Sequence, residues 1–163
     1  MKKFELTNEF VTNMFGTKLF RIRALVEFGD VEAGELGGYV EKESNLGHDD
    51  NAWVYDNAWV YGNAQVSGNA RVYGDARVCG NGDYAYAHGF GSVNRTTTFF
   101  RLKDGGVGVR CGCFYGTLAQ FRDKIRETHG ETKKAQEYLM LADLMELRFE
   151  EDENEVGNRK YVE

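Results

Sequence analysis

Three observations predict a mainly β chain, a short parallel β-solenoid followed by a small C-terminal α+β domain. From Asn51 to Gly80, five six-residue units run without a gap: NAWVYD, NAWVYG, NAQVSG, NARVYG and DARVCG. Glycine is abundant at 20 residues and proline is absent, so the glycines serve ordered turns rather than a low-complexity linker. Beyond residue 95 the six-residue period gives way to a hairpin pattern and then to helical periodicity.

A fixed internal period decides the architecture, so the repeat is the first element to justify. Six is a multiple of two, and a strand therefore keeps Val54, Val60, Val66, Val72 and Val78 on one side. Ala52, Ala58, Ala64, Ala70 and Ala76 share that side and must be small. A helix would spread the same residues around its circumference. Each Gly-Asn junction joins residues that tolerate φ > 0, so each unit is a very short strand plus a corner. One inward valine gains only about 1.5–3 kcal/mol on burial. Such strands need stacked coils whose amides pair above and below.

Counting by sixes adds Val40 and Leu46 upstream and Tyr84 and Phe90 downstream, with His88 also facing inward. The step from Leu46 to Val54 is eight, which predicts a two-residue bulge in Gly47-His48-Asp49-Asp50.

The flanks complete the organisation. Residues 1–29 read as an N-terminal cap, because Leu19 to Leu25 alternates as a half-buried strand does and an open coil edge needs cover. The repeat occupies 30–95, and 96–149 holds a hairpin and two helices. In the hairpin, Phe99 to Leu102 and Val107 to Phe114 flank a Lys103-Asp104-Gly105-Gly106 turn. Thr117 caps a helix that presents Leu118, Phe121 and Ile125 and ends at His129-Gly130. Thr132 caps a second helix to about Phe149, with a stripe of Ala135, Tyr138, Leu139, Ala142 and Met145. Leu141, Leu144 and Leu147 widen that stripe and suggest burial on a second side, against another subunit. Residues 150–163 form an acidic tail.

Composition narrows the function. A net charge of -6 and a pI near 5.2 lack the basic field that a nucleic-acid polymer requires. No apolar run approaches the roughly 18 residues of a membrane span, and Met1 to Glu5 lacks a signal-peptide core. Three widely placed cysteines give no disulfide framework. A reduced, cytoplasmic protein is expected, with no cofactor implied.

Val-Tyr-Gly-Asn-Ala-Arg, read from Val72, resembles the hexapeptide repeat of left-handed parallel β-helix proteins. That resemblance implies three units per triangular coil, about three coils here, and a homotrimer. LFRIRAL at 19–25, GELGGYVEKESNL, NAWVYDNAWVYGNA and the GCFYGT segment are also similar to phage and prophage proteins of Gram-positive bacteria. This implies a viral protein working in the host cytoplasm.

With three units per coil, residues eighteen apart stack. Trp53 and Tyr55 then lie over Arg71 and Tyr73, and Trp59 and Tyr61 lie over Arg77 and Cys79, while Gln65, Ser67, Asp83 and Ala85 make a small polar face. Rings that stack on a base and guanidinium forks that hold phosphate suit a small nucleotide-like ligand. The same residue types are enriched at protein interfaces, so the faces also read as an oligomer contact. The leading expectation is a non-catalytic binding protein that sequesters a nucleotide-derived host immune signal in clefts of a trimer. The immune part follows from the implied viral origin alone.

Two alternatives stay open. His48, beside two carboxylates in the irregular corner, would be the general base of a hexapeptide-repeat acyltransferase using a CoA thioester. Alternatively, the protein is structural and its aromatic faces are consumed in assembly. No metal site is expected. Cys111-Gly112-Cys113 with His129 lacks a fourth ligand, and alternating strand residues explain the spacing. Arg101 and Arg110 on the hairpin are anion-contact candidates beside the plainer reading of solvated charge.

Overall fold

The structure, a computed structural model, describes residues 2–93 and 95–150. The tail expected over 150–163 lies outside the described residues from 151 onward. The chain opens with a hairpin of β1 (Phe4–Thr12) and β2 (Lys18–Ala24). Asn13 shapes the turn, its side-chain oxygen accepting from the amides of Phe15 at 2.9 Å and Thr17 at 3.0 Å. Next, β3 (Leu36–Val40) pairs antiparallel with β2.

Parallel pairing then begins. The repeat contributes the two-residue rungs β4 (Trp53–Val54), β5 (Trp59–Val60), β6 (Arg71–Val72) and β7 (Arg77–Val78). Trp53 pairs with Arg71 and Trp59 with Arg77, both eighteen positions on. Tyr39 pairs with Trp59 and Leu46 with Val66, twenty positions on. The two additional residues therefore fall between Leu46 and Trp53, where the eight-residue step placed the bulge. Backbone amides carry the stack, with Tyr55 N donating to Val72 O at 2.8 Å and Trp59 N to Ala76 O at 2.9 Å.

The inward column is dry. Every repeat valine and alanine, with Val40 and Leu46, is at most 2 % exposed. Corners fall where the period puts them, because Asp56, Gly62, Gly68 and Gly74 all adopt positive φ. Gly80 breaks the series at φ -158, and the repeat ends there.

That ending corrects the downstream count. Tyr84 and Phe90 lie not on two-residue parallel rungs but at the ends of β8 (Tyr84–Phe90), a strand that pairs antiparallel with β9 (Arg95–Arg101). A six-residue count cannot detect the change, since any straight strand keeps the same parity. His88, expected inward, is exposed, and its Nδ1 lies 2.7 Å from Thr96 Oγ1. β10 (Val107–Cys111) and β11 (Phe114–Thr117) complete the sheet in the order β11-β10-β9-β8.

Two helices pack on this sheet. Thr117 accepts from Gln120 N and caps α1 (Leu118–His129), whose Leu118, Phe121 and Ile125 are buried. Thr132 caps α2 (Lys133–Phe149), which buries Ala135, Tyr138, Ala142 and Met145. Together with Phe99 and Val109 these residues form a second core. On the far side of α2, Met140, Leu144 and Leu147 are exposed.

Candidate functional site

The seven aromatic and arginine positions singled out by the repeat meet three different fates. Trp53 is sealed. Its indole is 0 % exposed and sits 5.2 Å from the Phe28 ring and 6.3 Å from Phe4. A Cβ at Gly37 would approach the indole to 2.8 Å, so glycine is required for this close packing. The expected ligand contact at Trp53 is thus corrected to a core residue. Repeat parity points the side chain outward, but the N-terminal segment folds over it.

Tyr55, Arg71 and Tyr73 come together on one face. The two tyrosine rings stack at 4.0 Å and 6°. Tyr55 Oη donates to Asp30 Oδ1 at 2.8 Å, and Arg71 donates to Asp30 Oδ2 at 3.2 Å. The Arg110 guanidinium lies 4.2 Å above the Tyr73 ring. Burial, then the bond to Asp30, pushes the Tyr55 phenol well above its ordinary range. Burial also raises Tyr73.

Arg71 also lines a polar recess of about 210 Å³ with Gly29, Asn51, Asn69, His88 and Thr96. Asn51 and Asn69 are eighteen apart at the first position of their units, so the repeat spacing carried that signal. His88 and Thr96 arrive from the antiparallel sheet, and nothing in the sequence pairs them with the repeat.

Trp59, Tyr61 and Arg77 lie on the other face. Arg21, Tyr39, Trp59 and Arg77 form one registered row across β2, β3, β5 and β7. Arg77 stacks on Trp59 at 3.9 Å and Arg21 on Tyr39 at 4.4 Å. Tyr61 is 5 % exposed and packs with Leu19 and Tyr39. Hydrogen bonds from Arg21 and Tyr39 hold the Glu9 carboxyl below its usual range.

His48 is bound to the N-terminus. Its Nδ1 accepts from Lys3 N at 3.0 Å and its ring stacks on Phe4 at 4.3 Å. With Nδ1 accepting, the neutral ring carries its proton on Nε2, which lies 3.9 Å from Glu43. Asp50 caps the bulge, taking the Gly68 amide at 2.7 Å and the Lys3 ammonium at 3.2 Å. Lys3 is 3 % exposed, and burial lowers its pKa despite Asp50.

The remaining candidates separate as well. Arg101 is buried rather than solvated and donates to Phe149 O at 3.0 Å. Cys111, Cys113 and His129 line one pocket. Among the described residues, no three His, Cys, Asp or Glu side chains are grouped to hold a metal ion. No described helix is long and apolar enough to cross a membrane.

A profile of the YdcK β-solenoid repeat matches residues 64–80, the segment that carries Ala64 to Val78 of the buried column. No curated protein matches the chain. The chain is mainly β and carries a β-solenoid-type repeat.

Proposed function

We propose that the protein is a non-catalytic binding protein, a left-handed parallel β-helix that forms a homotrimer and holds a small nucleotide-derived anion on its repeat. The observation that carries this reading is the recess beside Arg71, where a guanidinium, an imidazole and two carboxamides converge. Such donors suit phosphate oxygens, and the Tyr55–Tyr73 stack is tied to the recess through Asp30, which holds both Tyr55 and Arg71. Asp30 is the partner an incoming phosphate displaces, and its 3.2 Å pair with Arg71 is partly exposed and weak. The Trp59 row is the surface for self-association, since tryptophan, tyrosine and arginine dominate interface cores. Resemblance to phage proteins supports a host signalling nucleotide, sequestered in the host cytoplasm.

Isothermal titration against cyclic oligonucleotides and ADP-ribose derivatives tests the binding. Arg71→Gln should abolish the heat, while Asp30→Asn should tighten binding several-fold by freeing the guanidinium. No heat across the panel, or an unchanged affinity in Asp30→Asn, removes the reading. Light scattering tests the trimer separately. If Trp59→Ala dissociates the assembly and no nucleotide binds, the purely structural role is the better account. Acyl transfer is disfavoured by His48, whose neutral ring offers no free lone pair while Lys3 N occupies Nδ1.

A further inference from the structure

We propose that the pocket between the four-stranded sheet and the paired helices binds a small aromatic anion, a single ring bearing a carboxylate or phosphate. The pocket is independent of the repeat faces and encloses about 230 Å³. Arg95 from β9 and Lys124 and His129 from α1 all line it, and no described lining residue is Asp or Glu. That is notable in a chain with 26 acidic residues against 20 Lys and Arg. Arg95 makes no ion pair among the described residues, and Lys124 has only Glu127, at 3.9 Å. Two cationic side chains with so little compensation, beside an imidazole, form a local positive field that an anion neutralises.

The body of the ligand is specified by the walls. Phe121 stands edge-on to Tyr138 at 5.7 Å and 88°, and the His129 ring faces Tyr138 at 5.9 Å and 28°. Phe121 and Tyr138 are themselves 1 % and 2 % exposed, so the surfaces left for a ligand ring are half-buried Phe114 and His129, which pack against them. Two lining features depend on glycine. A Cβ at Gly91 (φ +82) would collide with the Tyr138 hydroxyl, and one at Gly112 (φ +60) with the Arg95 guanidinium. Burial pushes the Tyr138 phenol up, and its oxygen accepts from the Cys111 thiol at 3.7 Å. The volume sets the size. It falls below the roughly 300–1,000 Å³ of drug-sized sites, which leaves room for one ring and one acidic group rather than a dinucleotide.

Cys113 gives a local readout, being an exposed thiol on the pocket wall. The full chain is treated with iodoacetamide, and modification is followed thiol by thiol with phenyl phosphate or benzoate present. Inorganic phosphate supplies charge without a ring, and benzyl alcohol supplies a ring without charge. Phenyl phosphate or benzoate should slow alkylation of Cys113 at least fivefold and leave half-buried Cys79 unchanged. Both controls should protect at least tenfold less effectively. Arg95→Gln and Lys124→Gln, at exposed positions that leave the core intact, should each weaken protection about tenfold. Equal protection by inorganic phosphate, no protection by either aromatic acid, or full protection in the double variant overturns the proposal.

Discussion

Replacing Gly62 by alanine tests the stacking of the repeat at a corner. Gly62 has φ +62, and a Cβ there would lie 2.7 Å from the carbonyl oxygen of Cys79, seventeen positions on. A left-handed L-residue costs about 1–2 kcal/mol. Overpacking against a backbone atom adds about 1–3 kcal/mol, because no rotamer change relieves it. Loss of glycine's freedom in the unfolded chain returns about 0.4–1 kcal/mol. The net destabilisation is about 1–5 kcal/mol. Gly80 occupies the same position of its unit, yet its φ is -158 and a Cβ there meets nothing within 4 Å. Gly80→Ala should therefore gain the same 0.4–1 kcal/mol or so. Urea denaturation followed by tryptophan fluorescence separates the two. With a slope of about 2 kcal/mol per molar, the midpoints should differ by roughly 1 M or more. Coincident midpoints, or a lower one for Gly80→Ala, would refute the stacked geometry.

Two further predictions follow from burial. Trp53→Ala should cost about 3–5 kcal/mol, the range for an aromatic removed from a core, whereas Trp59→Ala should cost less than half of that in the same urea titration. A comparable loss at both positions would mean that Trp59 is also core. Alkaline pH should destabilise the fold, because burial raises Tyr55, Tyr73 and Tyr115 above their ordinary 10.0. Above pH 10 the unfolded chain releases phenolic protons that the folded chain retains, so stability falls as pH rises. Buried Lys3, with a lowered pKa, acts in the opposite direction, stabilising the fold as pH approaches 10.5. Denaturation midpoints between pH 9 and 11 should decline less steeply in Tyr55→Phe than in the unaltered chain, and parallel declines would contradict the assignment to Tyr55.

The parts of the fold legible in the sequence are those set by local rules. Period-two parity fixed which residues enter the column, and the eight-residue step located the bulge between Leu46 and Trp53. Capping chemistry fixed the starts of both helices, since Thr117 and Thr132 each accept the amide three residues on. The end of the repeat was hidden because Tyr84 and Phe90 keep the parity of the valines while pairing antiparallel. What distinguishes them is the corner, where Gly80 no longer has positive φ. Conformation at glycine is not written in its side chain.

The candidate site was less legible because an outward direction does not say what lies outside. Trp53 and Trp59 occupy the same place in consecutive identical pentapeptides, NAWVY. One is closed over by Phe4 and Phe28, and the other carries Arg77 on a half-buried ring. Their difference is decided by a hairpin that starts some fifty residues earlier and by the parallel ladder on which each falls. Arg71 likewise gained its neighbours from two sources. The repeat supplies Asn51 and Asn69 by its own spacing, whereas His88 and Thr96 require β8 and β9 to turn back against the repeat. A repeat therefore specifies a lattice of positions, and the non-repetitive segments select which of those positions face solvent, a recess or the core.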